Sequence, residues 1–186
     1  LFKTLESVNS PETILTTNTS SIPVTQIGSC LEHKSRFAGM HFFNPANLMK
    51  LVEVIPGADT STETTTLLME ISRKMGKVPV LVNDAPGFIV NRVARHFYLE
   101  NLNLLEESVA SVEELDRIME ATGFKMGPFK LMDLIGVETN HEVTKSLYAG
   151  FFQANRFRPS RIQQQKVDAG HLGRKTGKGF YTYETK

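Results

Sequence analysis

The chain has 186 residues, of which 40% are hydrophobic and 22% are charged. This balance is typical of a folded protein that buries one or two modest cores, and it argues against disorder. Lysine and arginine number 21 against 20 aspartates and glutamates, which leaves a formal net charge of +1. A net charge this close to zero creates no overall positive electrostatic field that would attract a polyanion. We therefore expect the protein to bind neither nucleic acid nor a charged membrane surface.

No apolar stretch approaches the roughly 18 residues that a membrane-spanning helix needs, and the first residues do not resemble a signal peptide. The single cysteine, Cys30, has no second thiol for a disulfide or a metal cluster, and we expect it to be a small buried apolar residue. These features predict a protein of a reducing compartment that holds no metal. We expect the cytoplasm, or the mitochondrial matrix if the source is a eukaryote.

The first half of the chain alternates between predicted strands and helices. Four runs rich in β-branched or apolar residues predict strands: Thr13–Thr17, Phe37–Phe43, Leu51–Ile55 and Val78–Val82. Two segments predict helices: about Pro23–Leu31 and Thr60–Lys77. The second helix carries an apolar set at helical spacing: Leu67, Leu68, Ile71 and Met75. The alternation predicts an α/β layer with a mainly parallel sheet.

After residue 84 the strand pattern stops. Five segments predict helices: Phe88–Glu107, Ser111–Gly123, Pro128–Ile135, Glu138–Phe151 and Ser160–Ala169. In the first of these, Val93 and Leu102 are among the residues available for burial. Ser111 and Glu114 form the sequence pattern of a capping box. The aromatic segment Gly179–Tyr183 near the chain end is expected to dock back onto the body of the protein.

A histidine and a glutamate fall on successive predicted strands. His41 lies near the carboxyl end of its strand, where α/β sheets bind their ligands. Glu53 interrupts an apolar run, and a carboxylate on a buried strand needs a partner. If the strands are neighbours, Glu53 can accept a hydrogen bond from one imidazole nitrogen and leave the other free to take a proton. Alternatively, Glu53 points to solvent on an edge strand and His41 is an ordinary packed histidine.

Further polar groups lie close to these strands in the predicted fold. Ser20 and Ser21 follow the first strand, so their hydroxyls also lie at a strand's carboxyl end, although turn or helix-cap roles would explain them as well. Asn91 lies in the first turns of the helix that opens the second half. Its amide can reach into a cleft between domains, or it can be an exposed helix residue.

Six short segments occur in this order along the chain: Asn18–Ser21, Arg36–Pro45, Lys50–Val54, Asp84–Arg92, Met126–Phe129 and Lys175–Tyr181. Together they resemble the successive motifs of 3-hydroxyacyl-CoA dehydrogenases, and they extend over essentially the whole chain. The resemblance implies that His41 is the general base and Glu53 its electrostatic partner. It also implies that Ser20 and Asn91 hold the oxygens of the substrate, an acyl-CoA.

The resemblance further implies NAD as the cofactor. Ser20 and Asn44 would border the nicotinamide, and Lys175 would fold back toward the cofactor, although a surface lysine is the default alternative. Residues 1–84 would be the carboxyl-terminal part of a Rossmann-type NAD-binding domain. Residues 85–186 would be an all-helical domain that forms a homodimer. Six residues of this half offer apolar surface for the dimer: Val90, Phe97, Leu102, Met119, Phe151 and Phe152.

One motif of such enzymes does not occur in the sequence. There is no G-x-G-x-x-G, and the acidic residue that follows it to bind the ribose is missing too. Leu1–Glu6 has the pattern of a helix interior with no capping residue before it. We therefore expect a truncated chain that is inactive alone and binds NADH more weakly than about millimolar, since the pyrophosphate contacts would be lost.

The implied reaction is the NAD-dependent oxidation of 3-hydroxyacyl-CoA to 3-ketoacyl-CoA, a step of fatty-acid β-oxidation. Two other interpretations stay open at this point. One is a non-catalytic module in which the helical half serves dimerisation or packing. The other is a related enzyme of the same architecture, acting on 3-hydroxybutyryl-CoA or on a sugar acid, because the histidine–glutamate pair does not separate these dehydrogenases.

Overall fold

The structure, a computed structural model, describes residues 1–184. These divide into two compact units, one from Leu1 to Ile89 and the other from Val90 to the end of the description. The second unit begins directly after a turn at residues 86–89. The domain boundary predicted between residues 84 and 85 stays a prediction.

Four strands form the single sheet of the first unit. In spatial order they are β1 (Leu15–Thr17), β2 (Phe37–Phe42), β3 (Leu51–Pro56) and β4 (Val78–Leu81). The outer pairs β1–β2 and β3–β4 are parallel, but the middle pair β2–β3 is antiparallel. The prediction of a mainly parallel sheet is confirmed by two of the three pairs. The middle pair is antiparallel because the connection at residues 43–50 is shorter than the dozen or so residues that a parallel crossover needs.

Side chains alternate across the two middle strands and enter two separate clusters. Phe37 and Ile55 pack in one cluster, and Met40 and Val54 pack in the other. Since both faces of these strands are covered, their sequences are almost continuously apolar. His41 lies on the Phe37 face by the same alternation.

Three helices complete the first unit: α1 (Phe2–Val8), α2 (Val24–Gly28) and α3 (Thr62–Lys74). Of the apolar set predicted for α3, Leu68 is buried, but Leu67, Ile71 and Met75 are exposed. The helix packs through Leu68 together with Thr64 and Ser72. Burial of Ser72 is possible because its hydroxyl donates to the backbone oxygen of Leu68 at 2.8 Å, which satisfies the donor inside the helix.

The second unit contains the five predicted helices: α4 (Val90–Glu106), α5 (Val112–Ala121), α6 (Pro128–Ile135), α7 (Val137–Gly150) and α8 (Arg161–Asp168). The capping box at the start of α5 is confirmed. The Ser111 hydroxyl accepts from the backbone N–H of Glu114, and the Glu114 carboxylate accepts from the backbone N–H of Ser111. Together these bonds satisfy two backbone donors at the helix start.

The buried face of α4 agrees with the prediction except at Val93. Leu102 is buried as predicted and packs in the core with Tyr98, Leu99 and Phe129, whereas Val93 is 66% exposed. Because Leu102 is fully buried, it cannot contribute to a dimer surface as predicted. Apolar spacing alone did not exclude Val93, because α4 has apolar residues on both sides and tertiary packing selects between them.

The chain end docks onto the helical unit, as predicted. Asp133 on α6 is buried and accepts hydrogen bonds from the backbone N–H groups of Phe180 and Tyr181, both at 2.9 Å. The hydroxyl of Tyr183 donates to the same carboxylate at 2.9 Å. The ring of Phe180 lies 4.9 Å from that of Phe129, so the segment joins the core.

Cys30 was predicted to be buried and is exposed. Helix α2 ends at Gly28, and the next apolar residue, Leu31, takes the core position at 4% exposure. The thiol of Cys30 lies 3.4 Å from the backbone oxygen of Ile27.

Across residues 1–184, none of the helices has the length and the apolar content required to traverse a lipid bilayer.

Candidate active site

His41 and Glu53 face each other across the antiparallel pair of strands. They are direct partners in the register of β2 and β3. Directly opposed residues point to the same face, with their Cβ atoms about 5 Å apart. The Nδ1 atom of His41 lies 2.7 Å from Oε2 of Glu53, and both side chains are buried. The predicted hydrogen bond between neighbouring strands is therefore confirmed.

Hydrogen bonds stabilise the buried carboxylate of Glu53. The residue is 1% exposed, and its Oε2 bonds His41. Its Oε1 accepts a hydrogen bond from the backbone N–H of Ile89 at 3.0 Å. The alternative of a solvent-facing glutamate is therefore wrong. A charge this deep is tolerable only because donors face both oxygens.

Aromatic rings enclose the imidazole of His41. The Phe43 ring lies 4.6 Å away between centroids, and the Phe88 ring lies 5.6 Å away. Phe88 belongs to the turn before α4 and adopts a positive φ of 50°, an uncommon conformation for a bulky residue. These apolar neighbours limit water near the ring and strengthen its interaction with the carboxylate.

The pairing determines which nitrogen of His41 can act as a base. An ionised carboxylate only accepts hydrogen bonds, so the neutral imidazole carries its proton on Nδ1 toward Glu53. Its Nε2 then holds the lone pair. A group that donates a proton to Nε2 turns the ring into a cation directly beside a fixed negative charge. The pair is thus suited to general-base chemistry.

The loops after β1 and β2 lie at the same end of the sheet, because these strands are parallel and their carboxyl ends point the same way. Ser20 follows β1 and Asn44 follows β2, and both are exposed. The side-chain oxygen of Asn18 accepts from the backbone N–H of Phe42 at 2.9 Å, which joins the two loops. The structure thus places Ser20 and Asn44 at the carboxyl end of these strands, close to where His41 lies on β2.

Two of the predicted site residues belong to the second unit. Asn91 is the second residue of α4 and is partly buried. Lys175 forms an ion pair with Glu138. Burial alone would raise the pKa of Glu138, but hydrogen bonds from Lys175 and from its own backbone lower it. In this structure the position of Lys175 is explained by that ion pair.

Known protein families match both units. The NAD-binding domain of 3-hydroxyacyl-CoA dehydrogenases matches residues 1–85, and the carboxyl-terminal domain of the same enzymes matches residues 87–183. The chain belongs to the 3-hydroxyacyl-CoA dehydrogenase family. The resemblance that the six sequence motifs indicated is confirmed, and so is the fold class of a partial Rossmann-type α/β unit followed by a helical one.

Individual relatives of this family are similar over the whole chain. A 3-hydroxyadipyl-CoA dehydrogenase from Escherichia coli K12 is 48% identical over 187 aligned positions, which cover 100% of this chain and 39% of the relative. A probable 3-hydroxybutyryl-CoA dehydrogenase from Bacillus subtilis is 43% identical, covering 100% and 65%. A mitochondrial hydroxyacyl-coenzyme A dehydrogenase from Sus scrofa is 40% identical, covering 99% and 59%.

Solved structures give the same result. A 3-hydroxybutyryl-CoA dehydrogenase from Escherichia coli K12 has a TM-score of 0.96 and 47% identity, covering 100% of this chain and 39% of that one. An (S)-3-hydroxybutyryl-CoA dehydrogenase from Ralstonia eutropha has a TM-score of 0.95 and 38% identity, covering 99% and 65%. The chain therefore spans less than two thirds of the length of these relatives.

Sequence reasoning missed three residues that contact the pair of His41 and Glu53 through a backbone group or a ring. Ile89 contributes only its N–H, so its side-chain type gave no signal. Phe43 and Phe88 were part of the motifs, but an aromatic residue beside a turn is ordinarily read as packing. Asp84 was part of a motif as well, but its contact was not predicted: its carboxylate accepts from the backbone N–H groups of Val24 and Thr25 at the start of α2.

The first unit matches the NAD-binding domain of the family and carries exposed polar side chains that could hold that cofactor. The hydroxyl of Ser20 and the amide of Asn44 are small polar groups at the carboxyl edge of parallel strands, where dinucleotides bind in such sheets. Exposure of both residues leaves them accessible to a ligand. These residues would contact the ring end of the cofactor rather than its pyrophosphate.

Proposed function

We propose that the whole protein oxidises 3-hydroxyacyl-CoA to 3-ketoacyl-CoA, with NAD as the acceptor, as in fatty-acid β-oxidation. The observation that carries this proposal is the buried pair of His41 and Glu53, joined at 2.7 Å. A base oriented by a fixed carboxylate is what the removal of a hydroxyl proton needs. Bound NAD would supply the acceptor for the hydride that leaves C3 of the substrate.

In the proposed reaction, Nε2 of His41 takes the proton of the substrate hydroxyl. The ring becomes cationic, and Glu53 stabilises the charge as it develops. General-base assistance of this kind typically accelerates a reaction by about 100- to 10,000-fold. Because the carboxylate is already positioned, little reorganisation accompanies the proton transfer.

We further propose positions for the substrate and the cofactor. Ser20 and Asn91 would hydrogen-bond the oxygens of the acyl group, and Ser20 and Asn44 would border the nicotinamide. For Lys175 we keep the proposal of a cofactor contact, which would require it to leave its ion pair with Glu138. In domain terms, residues 1–84 would belong to the NAD-binding domain and residues 85–186 to the helical one.

The names of the relatives support the substrate class. The Escherichia coli relative is named for 3-hydroxyadipyl-CoA and the Bacillus subtilis relative for 3-hydroxybutyryl-CoA. Both compounds are 3-hydroxyacyl-CoA esters. The proposed substrate is accordingly an ester of this class, and a sugar acid is disfavoured.

The reverse reaction gives the simplest test. The whole protein is supplied with NADH and a 3-ketoacyl-CoA such as acetoacetyl-CoA, and the oxidation of NADH is followed. We expect turnover, and we expect His41→Ala to reduce kcat by at least about 100-fold. His33→Ala, which removes an exposed imidazole of the same unit, serves as the control and should retain kcat.

A protein that binds neither NADH nor acyl-CoA would instead support the second candidate, a module for packing or dimerisation. Calorimetric titration with each ligand separates the two. Equal activity of His41→Ala and the unmodified protein would contradict the assignment of the base.

We also propose a homodimer formed through the helical unit. Phe152 is 96% exposed, and Ile118 and Val93 are more than half exposed, so these apolar side chains are available for burial against a second copy. Sedimentation at micromolar concentration tests this, and a monomer would contradict it. The single exposed cysteine suits a reducing compartment, so we propose the cytoplasm, or the mitochondrial matrix if the source is a eukaryote.

A further inference from the structure

The loop that connects β2 to β3, residues 43–50, carries two residues of the candidate site. The ring of Phe43 lies 4.6 Å from that of His41, and Asn44 is the residue proposed to border the nicotinamide. Each residue from 44 to 50 is exposed. A surface segment with so little buried side-chain area is not fixed by packing, so its position depends on hydrogen bonds.

The middle of this loop is a single helical turn. The backbone N–H groups of Leu48 and Met49 both donate to the backbone oxygen of Pro45, at 3.0 and 2.9 Å. An isolated turn of this kind has no following turn whose N–H groups could bind its later carbonyls. The backbone oxygens of Ala46 and Met49 are therefore acceptors that need a donor from elsewhere.

The ammonium group of Lys77 supplies that donor. Its Nζ donates to the backbone oxygen of Met49 at 2.9 Å and also to that of Ala46. A cation at the carboxyl end of a helical turn opposes the partial negative charge of the carbonyls there. Hydrogen bonds from a charged donor are also stronger than those between neutral groups. Lys77 thus closes the turn from outside the loop.

The backbone on either side of the Lys77 side chain is itself fixed. Its N–H donates to the backbone oxygen of Ser72 in α3 at 3.0 Å, and Ser72 is fully buried. The next residue, Val78, is the first of β4 and donates its N–H to the backbone oxygen of Lys50 at 2.8 Å. The end of α3 and the start of β4 therefore provide a rigid anchor for the loop.

Lys77 has no acidic group that competes for its donors. None of the ion pairs within residues 1–184 includes it, and the side chain is only partly exposed. Ordering a long side chain costs conformational entropy, which is the reason that surface lysines are usually mobile. Two carbonyls bound by one ammonium offset that cost, so the contact with the loop explains the orientation of this lysine.

We propose that Lys77 is a positioning residue for the cofactor, because it holds the loop that carries Asn44. This rests on the proposed function, in which Asn44 borders the nicotinamide. The start of the loop is already fixed by the bond between Phe42 and Asn18. The turn that directly follows Asn44 depends on Lys77. A displacement of about 1 Å in a group that positions a reactant can reduce the rate by up to about 100-fold.

The test measures steady-state kinetics of the whole protein with NADH and acetoacetyl-CoA. Lys77→Met removes the donors and keeps most of the apolar stem. We expect kcat/KM for NADH to fall by about 10- to 100-fold. Lys74→Met is the matched control, since it removes the same charge from an exposed position at the end of α3, and it should leave kcat/KM unchanged.

A double-mutant cycle with Asn44→Ala distinguishes positioning from a general effect on the fold. If Lys77 acts through Asn44, Lys77→Met should have little further effect in a protein that already lacks the amide. A general loss of structure would reduce kcat/KM by the same factor in both backgrounds. Lys77→Arg keeps a cation with several donors, so we expect it to restore most of kcat/KM for NADH.

The outcomes separate this inference from the proposed function. An unmodified protein without turnover would overturn both. Turnover with the same kcat/KM for NADH in Lys77→Met and the unmodified protein would overturn the role of Lys77 alone. Equal effects of Lys77→Met with and without the Asn44 amide would also overturn it, because the lysine would then act through the stability of the fold. If Lys77→Met does not fold, Lys77→Gln replaces it in the cycle, with the same two outcomes.

Discussion

The imidazole of His41 and the carboxylate of Glu53 are held together by the strand register itself. They are direct partners on β2 and β3, and the bond between them is 2.7 Å long. Backbone hydrogen bonds of the sheet fix the positions of the two Cα atoms opposite each other. Little further conformational entropy is therefore lost when the two side chains pair. The base is therefore oriented before any ligand arrives.

Replacement of the carboxylate by an amide tests that pairing. In Glu53→Gln, the amide has one acceptor oxygen where Glu53 presents two, to His41 and to the N–H of Ile89. The amide must either leave one buried donor unsatisfied or force His41 into the other tautomer, and we expect the free energy of unfolding to fall by about 1–3 kcal/mol. The kcat should fall as well, since the charge that stabilises the imidazolium is lost. Urea unfolding and NADH oxidation measure the two effects.

Glu70→Gln provides the control for this experiment, because Glu70 is exposed on α3. It should change neither the stability nor kcat. Unchanged kcat in Glu53→Gln would contradict an electrostatic role for the glutamate.

The hydroxyl of Ser20 can be tested against its neighbour. If Ser20 holds the oxygen that develops negative charge during ketone reduction, Ser20→Ala should reduce kcat by about 100-fold, as for other single donors to such an oxygen. Ser21→Ala removes a hydroxyl one residue later and should have little effect. Steady-state kinetics on both variants decides the matter. Equal kcat values for the two would favour the alternative of plain turn residues.

The carboxylate that docks the chain end makes a stability prediction. In Asp133→Asn, an amide N–H₂ group faces the donors of Phe180, Tyr181 and Tyr183, so at least one bond is lost. We expect a loss of about 1–3 kcal/mol in the free energy of unfolding. The chain end should also become more sensitive to proteolysis. Asp59→Asn, in an exposed turn, is the control and should behave like the unmodified protein.

Alkaline pH should weaken the same docking through Tyr183. Burial and the hydrogen bond to Asp133 raise the pKa of Tyr183 to about 12, against about 10 in an unfolded chain. The unfolded chain therefore loses this proton first. The stabilisation is complete below about pH 10 and is lost as the pH rises toward 12.

Tyr183→Phe cannot ionise, so its stability should decline less over that range, even though it starts lower without the hydrogen bond. Thermal unfolding at several alkaline pH values provides the measurement. Parallel declines in the two proteins would show that Tyr183 is not the titrating group.

Features set by local chemistry were predictable from the sequence. The capping box of Ser111 and Glu114 needs only nearby backbone groups, and it occurs as predicted. The pairing of His41 with Glu53 followed from the cost of a buried carboxylate, which limits the possible partners to a few.

Features set by tertiary packing were not predictable. Val93 is exposed although it was predicted to be buried, and the buried Ser72 was not predicted, because the rest of the fold selects which side chains of a helix are covered. The backbone donor of Ile89 could not be found from side-chain patterns at all, since every residue type except proline carries it.

Two aspartates connect distant parts of the helical unit. Asp116 accepts from the N–H groups of Phe129 and Lys130 at the start of α6 and from the hydroxyl of Tyr181, and Asp133 holds the segment that contains that tyrosine. During synthesis on the ribosome, all five helices emerge before this segment does. Until it emerges, Asp133 would lack its donors in a forming core, and Asp116 would lack the donor from Tyr181. The helical unit should therefore reach its native stability only in a late step of its synthesis, and ribosomes stalled before residue 180 should display a protease-sensitive intermediate.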